Sequence, residues 1–274
     1  MTKRKMKANV RYISFANLIF LLLLTLAGAT SGAVSEIAYI CAYALPCVFV
    51  FWLCKGCFKS PLDDFKLKKE GASAAALAVP TVALTIGLAA LTSFIMESAG
   101  AETEKISTEP HFVYSIVTLA LVPALLEELL FRYLPMKVLL PHSPRGCILL
   151  SAVMFSAAHM SVQSFVYAFF AGVAFMTLNV ISKSMLPSLT IHFINNVLSV
   201  ALAYFGDSSG FKIDFFVTFS LLLCGSLVMI ILKRREIFSQ IKGAFAKGDG
   251  GFIGFSPLAF LVPCAFIAVV NLMG

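Results

Sequence analysis

Long apolar runs broken by short clusters of charge dominate the chain. Gly71–Met96 is 26 positions without an acid, lysine or arginine, Gly146–Ser182 is 37, and 23 more lie between Lys183 and Asp207. A helix needs roughly 20 apolar residues to cross a bilayer. The runs lack the period-two alternation of a membrane strand. The pattern therefore predicts an all-α, polytopic transmembrane helical bundle of 8–9 transmembrane helices. The expected spans are Tyr12–Gly28, Val34–Leu53, Ala72–Phe94, Pro110–Leu130 or longer, Gly146–Met160, Gln163–Ile181, Leu186–Phe205, Phe215–Leu232 and Phe252–Leu272. The shortness of Gly146–Met160 and the Gly/Pro punctuation of the tail leave the count at eight or nine.

Composition agrees and adds exclusions. Of 274 residues, 59% are hydrophobic and 13% charged, against roughly 25% charged in soluble domains. A soluble globular enzyme and a disordered chain are both excluded. Residues 1–274 read as one integral-membrane domain, with the chemistry concentrated in 110–205. Lysine and arginine mark the cytoplasmic side of a membrane protein. With the amino terminus cytoplasmic and the spans alternating, 19 of 21 basic residues fall inside, leaving Lys105 and Lys212 outside. The net charge of +7 then reflects loops facing the anionic headgroups of the lipid bilayer, and implies no nucleic acid partner. Lys3–Arg11, an apolar run and Ala27-Gly28-Ala29 resemble a signal peptide, although a retained first helix is the expectation. The segments Thr2–Lys7 and Lys233–Gly250 are expected to be mobile. The seven cysteines sit in or beside apolar spans. Cys54 and Cys57 alone cannot complete a four-ligand zinc site and read as packing residues.

In such a chain the informative residues are polar groups inside the spans, each charge costing about 2.5–3.5 kcal/mol at a helix centre. Glu127 and Glu128 follow the apolar run Val113–Leu126. Glu128 and Arg132, at i and i+4, share a face and can pair. Glu127 is rotated by about 100° and points elsewhere. His159 lies i+4 from Phe155, and Asn196 lies i+4 from His192. His111 and His142 stand beside prolines at span ends and read as interfacial. At 1.5 Å per residue, His192 lies about 9 Å and His159 about 21 Å from the inner face, a vertical gap of about 12 Å. Glu127 reaches the depth of His159 if its helix runs on past Arg132 to about Leu140, with Pro135 inside it, or if the following loop is partly submerged.

The three motifs Glu127-Glu128-Leu-Leu-Phe-Arg132, Phe155-Ser-Ala-Ala-His159 and His192-Phe-Ile-Asn-Asn196, in that order on separate helices, resemble those of the CAAX protease and bacteriocin-processing family (also called Abi). Its best-known members are the Ras-converting-type CAAX prenyl proteases. The resemblance covers about a quarter of the chain. A glycine commonly follows the motif arginine in that family, whereas Tyr133 does here, in keeping with a continuing helix. The resemblance implies an intramembrane endopeptidase, open to the cytoplasm, that acts on a membrane-associated protein or peptide. Glu127 would be the general base. His159 would hold the attacking water, and His192 and Asn196 would donate to the oxyanion. Glu128, Arg132 and Phe155 would support them.

The same residues allow two alternatives. Glu127, His159 and His192 are also a plausible zinc set. Asn196, the lack of a His-Glu-x-x-His pair and the vertical gap between the histidines favour a glutamate mechanism without a metal. The same resemblance allows a non-proteolytic role in bacteriocin self-immunity or membrane scaffolding, although every candidate catalytic residue is present. Other intramembrane chemistries fit poorly. Asp207 and Asp214 bracket a loop, and Gly206-Asp-Ser-Ser-Gly210 has no histidine after it. No repeat suggests a transporter. Compact loops and the absence of targeting motifs suggest a prokaryotic plasma membrane.

Overall fold

The computed structural model describes residues 3–58, 61–66, 77–100, 111–141, 143–205 and 209–246, and among them there is no strand. Among the described residues eight helices carry the fold: α1 (Lys3–Gly28), α2 (Gly32–Leu53), α3 (Ala78–Ser98), α4 (Phe112–Leu139), α5 (Pro144–Ala158), α6 (Val162–Ser182), α7 (Leu186–Phe205) and α8 (Ser209–Ala246). Two short 3₁₀ turns, Lys55–Cys57 and Pro61–Phe65, follow α2.

Five segments among the described residues have the length and apolar composition to cross a membrane: Arg11–Gly28, Ala78–Ser98, Phe112–Leu139, Gln163–Ser182 and Leu186–Phe205. Ile37–Leu53 and Pro144–Ala158 are shorter apolar helices. The expected tail span Phe252–Leu272 lies outside the described residues. The bundle wears its apolar side chains outward: Trp52 and Val113 are each 73% exposed and Phe94 66%. Its interior buries Asn17, Ser115, Glu128, Arg132, Ser151, Asn179 and His192. Polar side chains kept within an otherwise apolar core, with large apolar ones turned outward, are what lipid imposes. This is an integral membrane protein.

The two segments expected to be mobile, Thr2–Lys7 and Lys233–Gly250, are helical where described. α1 begins at Lys3, and α8 runs unbroken through Lys233-Arg234-Arg235 to Ala246. Lysine, arginine and glutamate are good helix formers, so a charge cluster ends an apolar run without ending the helix.

α1 packs along α2, α5 along α6, and α3 and α7 flank α6 and α4. The α5–α6 pair is tightly packed. A Cβ on Gly172 would stand 2.7 Å from the Ala152 Cα, so these backbones approach as only small residues allow. Both helices start on a serine cap: Ser143 accepts from the Gly146 amide at 3.2 Å and Ser161 from the Ser164 amide at 3.3 Å. Lys183, at φ 54°, closes α6 in the left-handed region.

Candidate active site

α4 is the spine of the site, and its sequence explains its shape. Pro123 and Pro135 lack an amide proton and press on the carbonyl four residues back. Ahead of each proline the helix widens to π geometry, at Ile116–Leu121 and Glu128–Tyr133. Such single-turn widenings recur at functional sites. The carbonyl that Pro135 cannot serve, that of Phe131, accepts the Ser151 hydroxyl of α5 at 2.6 Å. The helix thus continues past Arg132 with Pro135 inside it, and Glu127 and Glu128 stand well within the bundle.

Glu128 is 2% exposed and Arg132 is fully buried. Arg132 Nε lies 3.4 Å from Glu128 Oε1. Its guanidinium stacks 3.8 Å from the centre of the Phe155 ring, with Phe175 at 5.4 Å. Among the described residues no acceptor gives the guanidinium a well-formed hydrogen bond. Its charge is therefore balanced by the carboxylate and by the two ring faces. Glu128 is better served: Ser188 Oγ donates to Oε2, and His192 Nδ1 stands 3.0 Å from Oε1.

The other nitrogen of His192, Nε2, is 3.5 Å from Glu127 Oε2. The adjacent acids leave α4 in different directions, as helix geometry requires, yet one imidazole spans both. A carboxylate only accepts, so Nδ1 donates to Glu128. Tyr43 Oη of α2 donates to Glu127 Oε1 at 3.2 Å. His159 caps the end of α5, and its Nδ1 is 2.9 Å from the Phe155 carbonyl. A carbonyl cannot donate either, so the proton sits on Nδ1 and the Nε2 lone pair is left available.

Glu127, His159, His192 and Asn196 all line a single cavity of about 430 Å³ between α3, α4, α5, α6 and α7. Phe155 lines it as well, while Glu128 and Arg132 stand behind its wall. The vertical gap of about 12 Å between the two histidines is not found. Both rings pack edge-on against Phe155, at 4.9 and 5.5 Å between ring centres. Ring centres at these distances from one phenylalanine cannot lie much more than about 10 Å apart. His111 is exposed at the start of α4, and His142 lies outside the described residues.

Several residues at the site have no motif to announce them. Tyr43 touches Glu127 and Ser188 touches Glu128. Phe175 stacks on Arg132, and Asn195, Gln163 and Tyr167 line the cavity. Tyr43 is 84 residues from Glu127 in the chain, so no local spacing could reveal it. Ser188 was readable in principle, since it lies one helical turn before His192 on the same face.

A model of the family described as type II CAAX prenyl endopeptidase, Rce1-like, matches residues 109–198, the stretch that carries all three motifs. No curated protein and no solved structure matches the chain. The family match supports the CAAX protease and bacteriocin-processing family for this protein, and with it a protease of the CAAX type.

Proposed function

We propose that this protein is an intramembrane endopeptidase that hydrolyses a peptide bond in a membrane-associated protein or peptide, using water activated by Glu127. The observation that carries this reading is the convergence of Glu127, His159, His192 and Asn196, from three helices, on one cavity inside an apolar bundle. In the proposed reaction a water held at His159 Nε2 gives its proton to Glu127 Oε2 as its oxygen attacks the scissile carbonyl carbon. The oxyanion that forms accepts from Asn196 and from His192 Nε2–H. The carbon–nitrogen bond then breaks, and Glu127 returns the proton to the leaving amine.

His192 can donate at Nε2 while its Nδ1–H is held by Glu128 only if both nitrogens carry protons. The surroundings support that state. Glu127 and Glu128 are two negative charges in a buried cluster, and Arg132 with a doubly protonated His192 supplies two positive ones. Buried charges persist when paired in this way.

The zinc alternative fits less well. Both histidines do turn Nε2 away from a bound Nδ1, as metal ligands often do. Yet among the described residues no group of three His, Cys, Asp or Glu side chains is arranged so that it could hold a metal ion. The proposed steps therefore use side chains alone.

The finer placement belongs to the same proposal: eight or nine spans, a cytoplasmic amino terminus, and a site open to the cytoplasm of a prokaryotic cell. The deciding experiment reconstitutes the protein in liposomes with lipid-anchored peptides. Cleavage by the wild type and none by Glu127→Gln is the expected result. Equal cleavage by both would remove Glu127 as the base. If Glu127→Gln keeps the full cellular effect of the wild type, the self-immunity or scaffold alternative replaces the protease.

A further inference from the structure

The matched residues 109–198 leave α1 and α2 outside the catalytic segment, yet one side chain of α2 reaches the proposed base. We infer that Tyr43 is a positioning residue: its hydroxyl holds Oε1 of Glu127 from behind, so that Oε2 alone faces the water. This inference rests on the proposed role of Glu127.

Three observations support it. First, Tyr43 Oη donates to Glu127 Oε1 at 3.2 Å while Oε2 lies 3.5 Å from His192 Nε2. The two oxygens of one carboxylate thus have different partners, which fixes rotation about the last side-chain bond. Second, Tyr43 is only 4% exposed and is not among the residues lining the cavity. It approaches from the side away from substrate, and its hydroxyl meets the carboxylate rather than bulk water. Third, the ring is held rigidly. Phe20 packs edge-on at 4.9 Å and Tyr39 at 5.3 Å, and Phe20 in turn packs on Phe131 of α4 at 5.2 Å. A donor fixed by a ring stack loses little freedom when it orients its acceptor, and a hydrogen bond to a carboxylate is charge-assisted. A base that must meet one water in one geometry gains rate from such fixing, because small misplacements of reacting groups cost large factors.

The test compares wild type, Tyr43→Phe and Glu127→Gln in proteoliposomes with a lipid-anchored fluorogenic peptide. Tyr43→Phe keeps the ring and removes the donor. The expected result is a kcat lower by roughly tenfold, with KM within about twofold and the thermal midpoint unmoved. Infrared spectroscopy supplies a readout that does not need turnover. The carboxylate band lost in Glu127→Gln marks Glu127, and it should shift in Tyr43→Phe. An unchanged kcat with an unmoved band overturns the inference. So does a joint loss of kcat, KM and thermal stability, which would make Tyr43 a packing residue. If the wild type cleaves nothing, the proposed reaction fails while the infrared band still decides whether Tyr43 holds Glu127.

Discussion

The helices α4–α7 and the hairpin α1–α2 solve the membrane problem in opposite ways. α4–α7 carry two acids, an arginine and two histidines into the bundle, and each is met there by a partner. Glu128 is held by Ser188, His192 and Arg132, while Arg132 is stacked on Phe155. The α1–α2 hairpin contributes aromatic packing instead: Phe20, Tyr39 and Tyr43 form a ring stack that leans on Phe131. Asn17, a fully buried amide of the hairpin, has no hydrogen-bond partner for either side-chain atom among the described residues. The contrast separates chemistry from scaffold. The charged groups of the proposed site each have a side-chain or ring partner, whereas the hairpin supplies mainly aromatic packing, with the Tyr43 hydroxyl reaching Glu127.

The sharpest way to break this contrast is to remove a charge of the proposed site. Glu127→Gln is expected to lower cleavage by roughly 10²–10⁴-fold, the usual worth of a general base, with the folded state retained in a thermal scan. Next in size is Arg132→Ala. It leaves Glu128 without its cation and opens a hole between Phe155 and Phe175. A loss of about 3–5 kcal/mol is expected, read by unfolding in a mild detergent. A loss under about 1 kcal/mol would mean that the buried pair is not a structural centre.

Gly172→Ala tests the wall of the cavity rather than its chemistry. The added methyl meets the Ala152 backbone at 2.7 Å, and overpacking of this kind costs about 1–3 kcal/mol. Because α5 carries His159 and α6 lines the cavity, cleavage should fall along with the thermal midpoint. On the scaffold side the sign reverses. Asn17→Leu replaces an unpartnered amide by a side chain of similar size and is expected to stabilise by about 1 kcal/mol. Destabilisation would show that the amide has a partner after all, and that the hairpin shares the networked character of α4–α7. The smallest expected effect is that of a strong chelator. Cleavage by the purified protein should be unchanged, and reversible loss with one bound metal per chain would restore the zinc alternative.

Much of this contrast was legible along the chain, and its limits have physical causes. Apolar runs about as long as a bilayer is thick gave the helices, because in lipid a backbone must satisfy its own hydrogen bonds. Charge inside such runs picked out Glu127, Glu128 and Arg132, because lipid makes it expensive. The i,i+4 spacings of Glu128 with Arg132 and of His192 with Asn196 were readable because helical neighbours are fixed by pitch. Tyr133 in place of a glycine indicated that α4 would continue, and it does so to Leu139.

What the sequence could not supply is anything that depends on where one helix meets another. A rise of 1.5 Å per residue separates His159 from His192 in depth, yet both pack on Phe155, because the packing of one helix against another is not written in the spacing along either. The tie between His192 and Glu128, which sets the proton on Nδ1, joins residues 64 positions apart. The hydroxyl of Tyr43 reaches Glu127 from a helix that no motif marks. By itself the sequence determined a helical membrane protein and the polar side chains set inside its apolar spans, because both follow from composition and local periodicity. Only the tertiary structure decided which nitrogen faces which oxygen, because contacts a few ångströms across are set by packing between helices distant in the chain.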